Sequence, residues 1–170
     1  MLIRIFAAVV FCLALSGCVL QSEQPIFTDA DSKLLLASYG SRFASYTLAG
    51  GNWSKEEETL SFTAEGQHYV ASDGKVKIDV NFVNISGDWW VVQVQEGGKP
   101  PNYALAEAQN GEIFIYPLAC KAMREHGGFE RFVVFKDDDC TVKPGADTAA
   151  MFASLAAEPG TADMKLVPLP

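Results

Sequence analysis

Between residues 75 and 85 apolar and polar side chains alternate: Val76, Ile78, Val80 and Phe82 would share one face of a strand, and Lys75, Lys77, Asp79 and Asn81 the other. A strand dry on one side and wet on the other belongs in an antiparallel sheet, because parallel strands are buried on both faces and read as continuous apolar runs. Ser86, Gly87 and Asp88 turn this strand into residues 89–95, where Trp90, Val92 and Val94 share a face. Asn110 and Gly111 separate residues 103–108 from 112–116, and Asn-Gly between two such runs is a strong hairpin signal because both residues tolerate positive φ. Residues 42–48, 59–64 and 132–135 add shorter strand-like runs, with turns at 50–52 and 71–74.

Towards the C-terminus the period lengthens. Asp147 is placed to cap a helix over 148–157, with Ala149, Phe152 and Leu155 on one face and Pro159 and Gly160 to stop it. Residues 29–37 carry a weaker helix start, and residues 165–170, with two prolines, read as an edge strand at most. The pattern predicts a mainly β chain of the α+β kind, one antiparallel sheet or small barrel over residues 26–170 with a C-terminal helix.

A formal charge of -8 over 170 residues, with 13 basic side chains, speaks against general nucleic-acid binding, because little is available to neutralise phosphates. Two histidines leave little material for acid-base or metal chemistry. Nothing in the spacing of residues calls for a cofactor or supplies a catalytic set, and no Gly-x-Ser-x-Gly string occurs. Ser72 and Lys75 have the Ser-x-x-Lys spacing of penicillin-recognising enzymes, but Asp73 and Gly74 between them favour a hairpin turn over the helix that chemistry needs. His68 reads as a strand residue and His126 as a loop residue, and neither has the partners of a triad.

The N-terminus has one charged side chain, Arg4, then an apolar run over 5–15 and Ser16, Gly17 and Cys18. The run is too short to span a bilayer, which takes roughly 20 apolar residues, and has the layout of a secretory signal peptide. Leu15, Ser16, Gly17 and Cys18 resemble the lipobox of bacterial lipoproteins. The resemblance implies removal of residues 1–17, acylation of Cys18 and a bilayer as the first partner. Val19 in place of Asp after the cysteine implies sorting to the outer membrane, facing the periplasm. Loss of Arg4 makes the body one unit more acidic, so lipid rather than a basic patch must hold it to the membrane. Residues 18–25 then read as a short lipidated tether of polar character.

With Cys12 in the signal segment and Cys18 acylated, Cys120 and Cys140 are the thiols left for an oxidising compartment, and a disulfide between them is expected. A metal site from Cys120, His126 and Cys140 lacks a local two-cysteine knuckle and a visible fourth ligand. Asp137, Asp138 and Asp139 are not followed by the glycine and glutamate of a calcium loop and read as a solvated turn.

Adjacent Trp89 and Trp90 on one strand must point to opposite faces, so an outward-facing member of the pair, beside Asp88 and Glu96, is a candidate partner-binding anchor. Residues 90–93, 103–105 and 117–120, the second cysteine and the closing helix together resemble small envelope lipoproteins of proteobacteria, a likeness that brings no activity with it. Gly66 and Tyr69 resemble the Gly-x-x-Tyr segment of lysozyme-inhibitor lipoproteins, which is the alternative reading. The expectation is a non-enzymatic envelope lipoprotein that binds or supports another envelope component, protein or polymer.

Overall fold

A computed structural model describes residues 19–72 and 77–170. The expected signal segment 1–17, the expected acylation site Cys18, and residues 73–76 of the expected turn and strand start lie outside the described residues. Among the described residues eleven strands occur: β1 (Arg42–Ala49), β2 (Asn52–Ser61), β3 (Thr63–Glu65), β4 (His68–Ser72), β5 (Lys77–Ser86), β6 (Trp89–Glu96), β7 (Asn102–Gln109), β8 (Glu112–Pro117), β9 (Val133–Lys136), β10 (Asp139–Val142) and β11 (Met164–Pro168). Helix α1 covers Cys120–His126 and α2 covers Thr148–Ala157.

Nine strands form one curled antiparallel half-barrel in the order β2-β1-β11-β8-β7-β6-β5-β4-β3, and β9 and β10 form a separate ribbon. The two edge strands, β2 and β3, are consecutive in sequence and joined by Phe62 alone, whose N–H donates to the Ser41 carbonyl at 2.9 Å. Curling therefore brings the edges together, and an aromatic chain crosses the seam. Phe43 meets Phe62 at 5.8 Å, Phe62 meets Tyr69 at 6.3 Å and Tyr69 meets Phe82 at 6.0 Å, all edge-on, the arrangement the ring quadrupoles favour.

Inside the curl lies an apolar core that includes Phe43, Ile78, Val80, Phe82, Val92, Ile113 and Leu166, with Ala104 and Ala106 keeping its centre narrow. Leu35 and Leu36 of a short 3-10 turn, Leu35–Ser38, pack into it. That turn is all that forms of the helix expected over 29–37. The Tyr69 hydroxyl is buried there without a hydrogen-bond partner among the described residues, and burial raises its pKa.

The outer face of the sheet is divided. Over β5 to β7 it is covered by residues 19–33, α1, the β9–β10 ribbon and α2, around a second core of Leu20, Val91, Tyr103, Leu105, Phe132 and Phe152. The ribbon is held to α1 by the disulfide Cys120–Cys140, whose Cα atoms lie 5.4 Å apart. Closing a loop of 20 residues contributes roughly 3 kcal/mol in the chain-entropy picture.

Asn81, expected on the wet face of its strand, is buried for this reason and donates to Ser32 Oγ at 2.7 Å. Gln93, directly opposite it on β6, is 3% exposed. Its Oε1 accepts from the Ile26 and Phe27 backbone N–H groups, both at 3.0 Å, and its Nε2 donates to the Phe27 carbonyl at 3.0 Å. The Tyr103 hydroxyl donates to the same oxygen at 3.1 Å and lies 2.7 Å from Ser22 Oγ. The segment read as a polar tether is thus part of the fold from Val19 onward, because its backbone groups find partners on the sheet.

Two other expectations change. β11 is not an edge strand: it lies between β1 and β8, and its prolines are tolerated because the ladder to β8 uses only Met164, Lys165 and Leu166. In α2, Asp147 caps as expected by accepting from the Ala150 N–H at 3.0 Å, but Met151 rather than Ala149 joins Phe152 and Leu155 in the core.

Gln93→Leu is expected to strip the partly buried Phe27 N–H of its partner, to leave the Ile26 N–H only its bond to the Tyr103 hydroxyl at 3.1 Å, and to cost about 2 kcal/mol. Chemical denaturation would read the loss, and amide exchange should quicken over residues 20–33. Unchanged stability would show that the network adds nothing net.

Candidate functional site

Among the described residues, no helix lies above the outer face of β8, β11, β1 and β2. Backbone pairing sets one continuous row of outward side chains there: Trp89 on β6 pairs with Glu107 on β7, Glu107 with Phe114 on β8, Phe114 with Lys165 on β11, Lys165 with Tyr46 on β1, and Tyr46 with Lys55 on β2. Rings and charges alternate along the first five of these positions. At about 4.8 Å per strand the row is roughly 24 Å long.

Its centre is Lys165. The ammonium donates to both carboxylate oxygens of Glu112, at 3.0 and 3.1 Å, and sits 5.3 Å from the Tyr46 ring, 5.5 Å from Trp53 and 5.9 Å from Phe114. Trp53 and Phe114 meet edge-on at 6.1 Å. With only 17% of its side chain exposed, Lys165 has its charge met by one carboxylate and the negative faces of three rings.

At the other end Trp89 packs against Tyr116 at 5.1 Å, and the Tyr116 hydroxyl donates to Glu107 Oε2 at 2.8 Å. Burial foremost, together with the hydrogen bond to Glu107 and its negative charge, pushes the Tyr116 pKa up to about 12. Trp89 and Trp90 do face opposite sides: Trp89 packs beside Tyr116 against the outer-face core, and Trp90 packs against the inner core. Both are half-buried. The sequence singled out Trp89 but not Phe114, Lys165 or Tyr46 as its neighbours.

The other residues considered fall elsewhere. His68 is on β4 with Nδ1 2.9 Å from Asp29 Oδ1 and Nε2 3.8 Å from Asp79 Oδ1. Ser72 ends the same strand rather than lying on a helix, and Lys75 is outside the described residues. His126 closes α1 instead of lying in a loop, and its Nε2 is 3.5 Å from Glu158. It stands at a cleft of about 180 Å3 between α1 and α2, lined by Leu118, Met123, Phe129 and Leu155, smaller than the ~300 Å3 at which small-molecule pockets begin. Cys120 and Cys140 are consumed by the disulfide, and no cluster of metal-binding side chains occurs among the described residues. Tyr69, the residue of the lysozyme-inhibitor resemblance, is 4% exposed inside the inner core.

Compared with known proteins, the chain matches no family model, no curated protein and no solved structure.

The Tyr116 shift has a definite sign. Because the folded-state pKa lies above the ordinary value of 10.0, the folded chain holds this proton more tightly than the unfolded one, so its contribution is intact below pH 10 and is lost as pH rises towards 12. Tyr116→Phe should therefore flatten the fall in melting temperature over that window relative to the parent protein. Parallel curves for the two would show that the phenol does not titrate as described.

Proposed function

We propose that the protein is a non-enzymatic lipoprotein of the bacterial cell envelope, held to the outer membrane by acylated Cys18, whose outer sheet face binds a neutral glycan polymer of the envelope. The observation that carries this reading is the row from Trp89 to Tyr46, which starts at the margin of the covered face and whose Phe114, Lys165 and Tyr46 lie on strands that no described element covers.

Three features of the row favour such a ligand. Half-buried rings offer apolar faces with negative quadrupoles to the polarised C–H faces of sugar rings. The carboxylates and hydroxyls between the rings accept hydrogen bonds from sugar hydroxyls. Lys165 and Glu112 already neutralise each other, so binding needs no charged ligand, and the acidic body repels an anionic one. A narrow line of rings fits an extended chain better than the broad patch of roughly 800 Å2 that each side of a stable protein complex buries.

Titration with oligomers of N-acetylglucosamine, followed by tryptophan fluorescence, tests the ligand. Trp53→Ala and Trp89→Ala should each weaken binding about tenfold or more, a loss of ~1.4 kcal/mol, measured at a temperature where each variant is fully folded, with little change in melting temperature for Trp53→Ala. Trp90→Ala, on the inner core, should instead lower the melting temperature. No binding by the parent protein, or equal binding by all three variants, would refute the glycan reading.

The anchor is tested separately. Cys18→Ala should abolish fatty-acid labelling and move the protein out of the membrane fraction, and labelling that persists in the variant would end the lipoprotein reading.

A further inference from the structure

A lipid-anchored domain on a flexible tether samples many orientations; one whose first residues are locked into the fold does not. Val19 is 4% exposed and bridges to Ala119 at the start of α1. Leu20 is fully buried, with its N–H donating to the Leu118 carbonyl at 2.8 Å and its carbonyl accepting from Tyr103 at 3.0 Å. Gln21 lies between β7 and β10, bridged to Asn102 on one side and Thr141 on the other, and its Nε2 donates to Asn102 Oδ1 at 3.0 Å. Cys18 immediately precedes Val19 in the sequence, so the residue next to the acylation site is already buried. No slack separates the acylation site from the body.

The surface beside this point differs from the rest of the molecule. Residues 120–143 carry five basic and five acidic side chains and are electrically balanced, whereas the remainder of the chain after Gly17 has seven basic against sixteen acidic. The excess of acid that anionic headgroups would repel is therefore carried elsewhere, and the five acidic side chains of this stretch, Asp137, Asp138 and Asp139 of the ribbon among them, are matched by five basic ones. On the same stretch lies Val134, at 50% exposure the one exposed large apolar side chain among the described residues. A single rung of pairing connects it to the anchor: Gln21 to Thr141 and Thr141 to Val134, two strand spacings or about 10 Å. Arg124 lies 5.3 Å from the Phe135 ring and Arg131 lies 4.4 Å from the Phe132 ring, an apolar base with a cationic top of the kind that suits a headgroup boundary.

We infer that the domain is seated directly on the leaflet that holds Cys18, with the β9–β10 ribbon and the start of α1 against the lipid. The turn at Asn110 and Gly111, at the opposite end of β8 from Ala119, then stands about 25 Å away from the anchored end. This seating rests on the acylation of Cys18 proposed above, but not on the glycan.

The experiment uses the full chain acylated in cells, purified and reconstituted into vesicles of phosphatidylethanolamine and phosphatidylglycerol. A polarity-sensitive fluorophore is placed on Val134→Cys or Asn110→Cys; with the other mature cysteines acylated or in the disulfide, the introduced thiol takes the label. Thr141→Cys replaces Val134→Cys should the latter misfold. The expected result is a blue shift and a gain in emission on vesicles for the ribbon label, with water-like emission at 110. Water-like emission from the ribbon, in a sample whose mass spectrum carries acyl chains on Cys18, overturns the seating alone. An equal shift at 110 overturns the orientation. Absence of acyl chains on Cys18 overturns the lipoprotein reading and the seating with it.

Discussion

The amide of Gln93 is the point on which both layers of this molecule depend. It sits on the outer face of a central strand, 3% exposed, where an apolar side chain would give the N-terminal segment nothing to bond. By accepting from the backbone of Ile26 and Phe27 and donating to the Phe27 carbonyl, it gives an irregular segment the partners a neighbouring strand would otherwise supply. Phe27 so placed meets Phe152 of α2 at 5.7 Å, and Tyr103, which bonds the same glutamine, meets Phe152 at 5.8 Å. The polar network thus fixes the platform on which the C-terminal helix packs. Leaving such a group half-satisfied costs more than omitting it, which is why the glutamine's oxygen and nitrogen both being engaged matters.

On the inner face a different constraint operates. A curled sheet with two free edges would expose unpaired backbone groups at each. Here the edge strands are one run of chain interrupted at Phe62, so the run that ends pairing with β1 begins pairing with β4 two residues later. Phe62 points towards Phe43 and Tyr69 and seals the seam with side chains where backbone pairing stops. Ala104 and Ala106 permit the tight curl by leaving room at the centre of the core.

How much of this could be read from the sequence depends on where each element's information lies. β5, β6 and the β7–β8 hairpin were legible because alternation and turn chemistry are local; Asn110 and Gly111 adopt φ of 54° and 80° as Asn-Gly in such a turn requires. Helix α1 was not, since its N-cap is Ala119 with no side-chain bond, its first turn has no acidic residue, and it is only seven residues long. The packed segment 19–33 was read as a tether in its first part because its composition is polar and what it buries is mostly backbone and small hydroxyls. β11 was demoted by its prolines, although both follow the rungs that pair with β8. The aromatic row was illegible for a further reason: its members are drawn from strands scattered between residues 46 and 165, and register alone brings them together.

Register also relates the proposed binding face to the proposed seating. Row members occupy one rung on successive strands, so the row runs across the strands, whereas the anchored end and the Asn110 turn mark the two ends of β8. Phe114 is five residues from Ala119, a rise of about 17 Å. A domain seated through its ribbon and the start of α1, with its strands rising from the leaflet, would hold the row roughly parallel to the membrane at that height. A polymer lying along the membrane surface could then be met by all the rings at once, without having to dip towards the lipid. A flexible tether would lose this match, because the row would sample every tilt. On the proposed seating the buried Val19 and Leu20 would therefore bear on recognition as well as on anchoring: orientation fixed before the ligand arrives is entropy that binding need not remove.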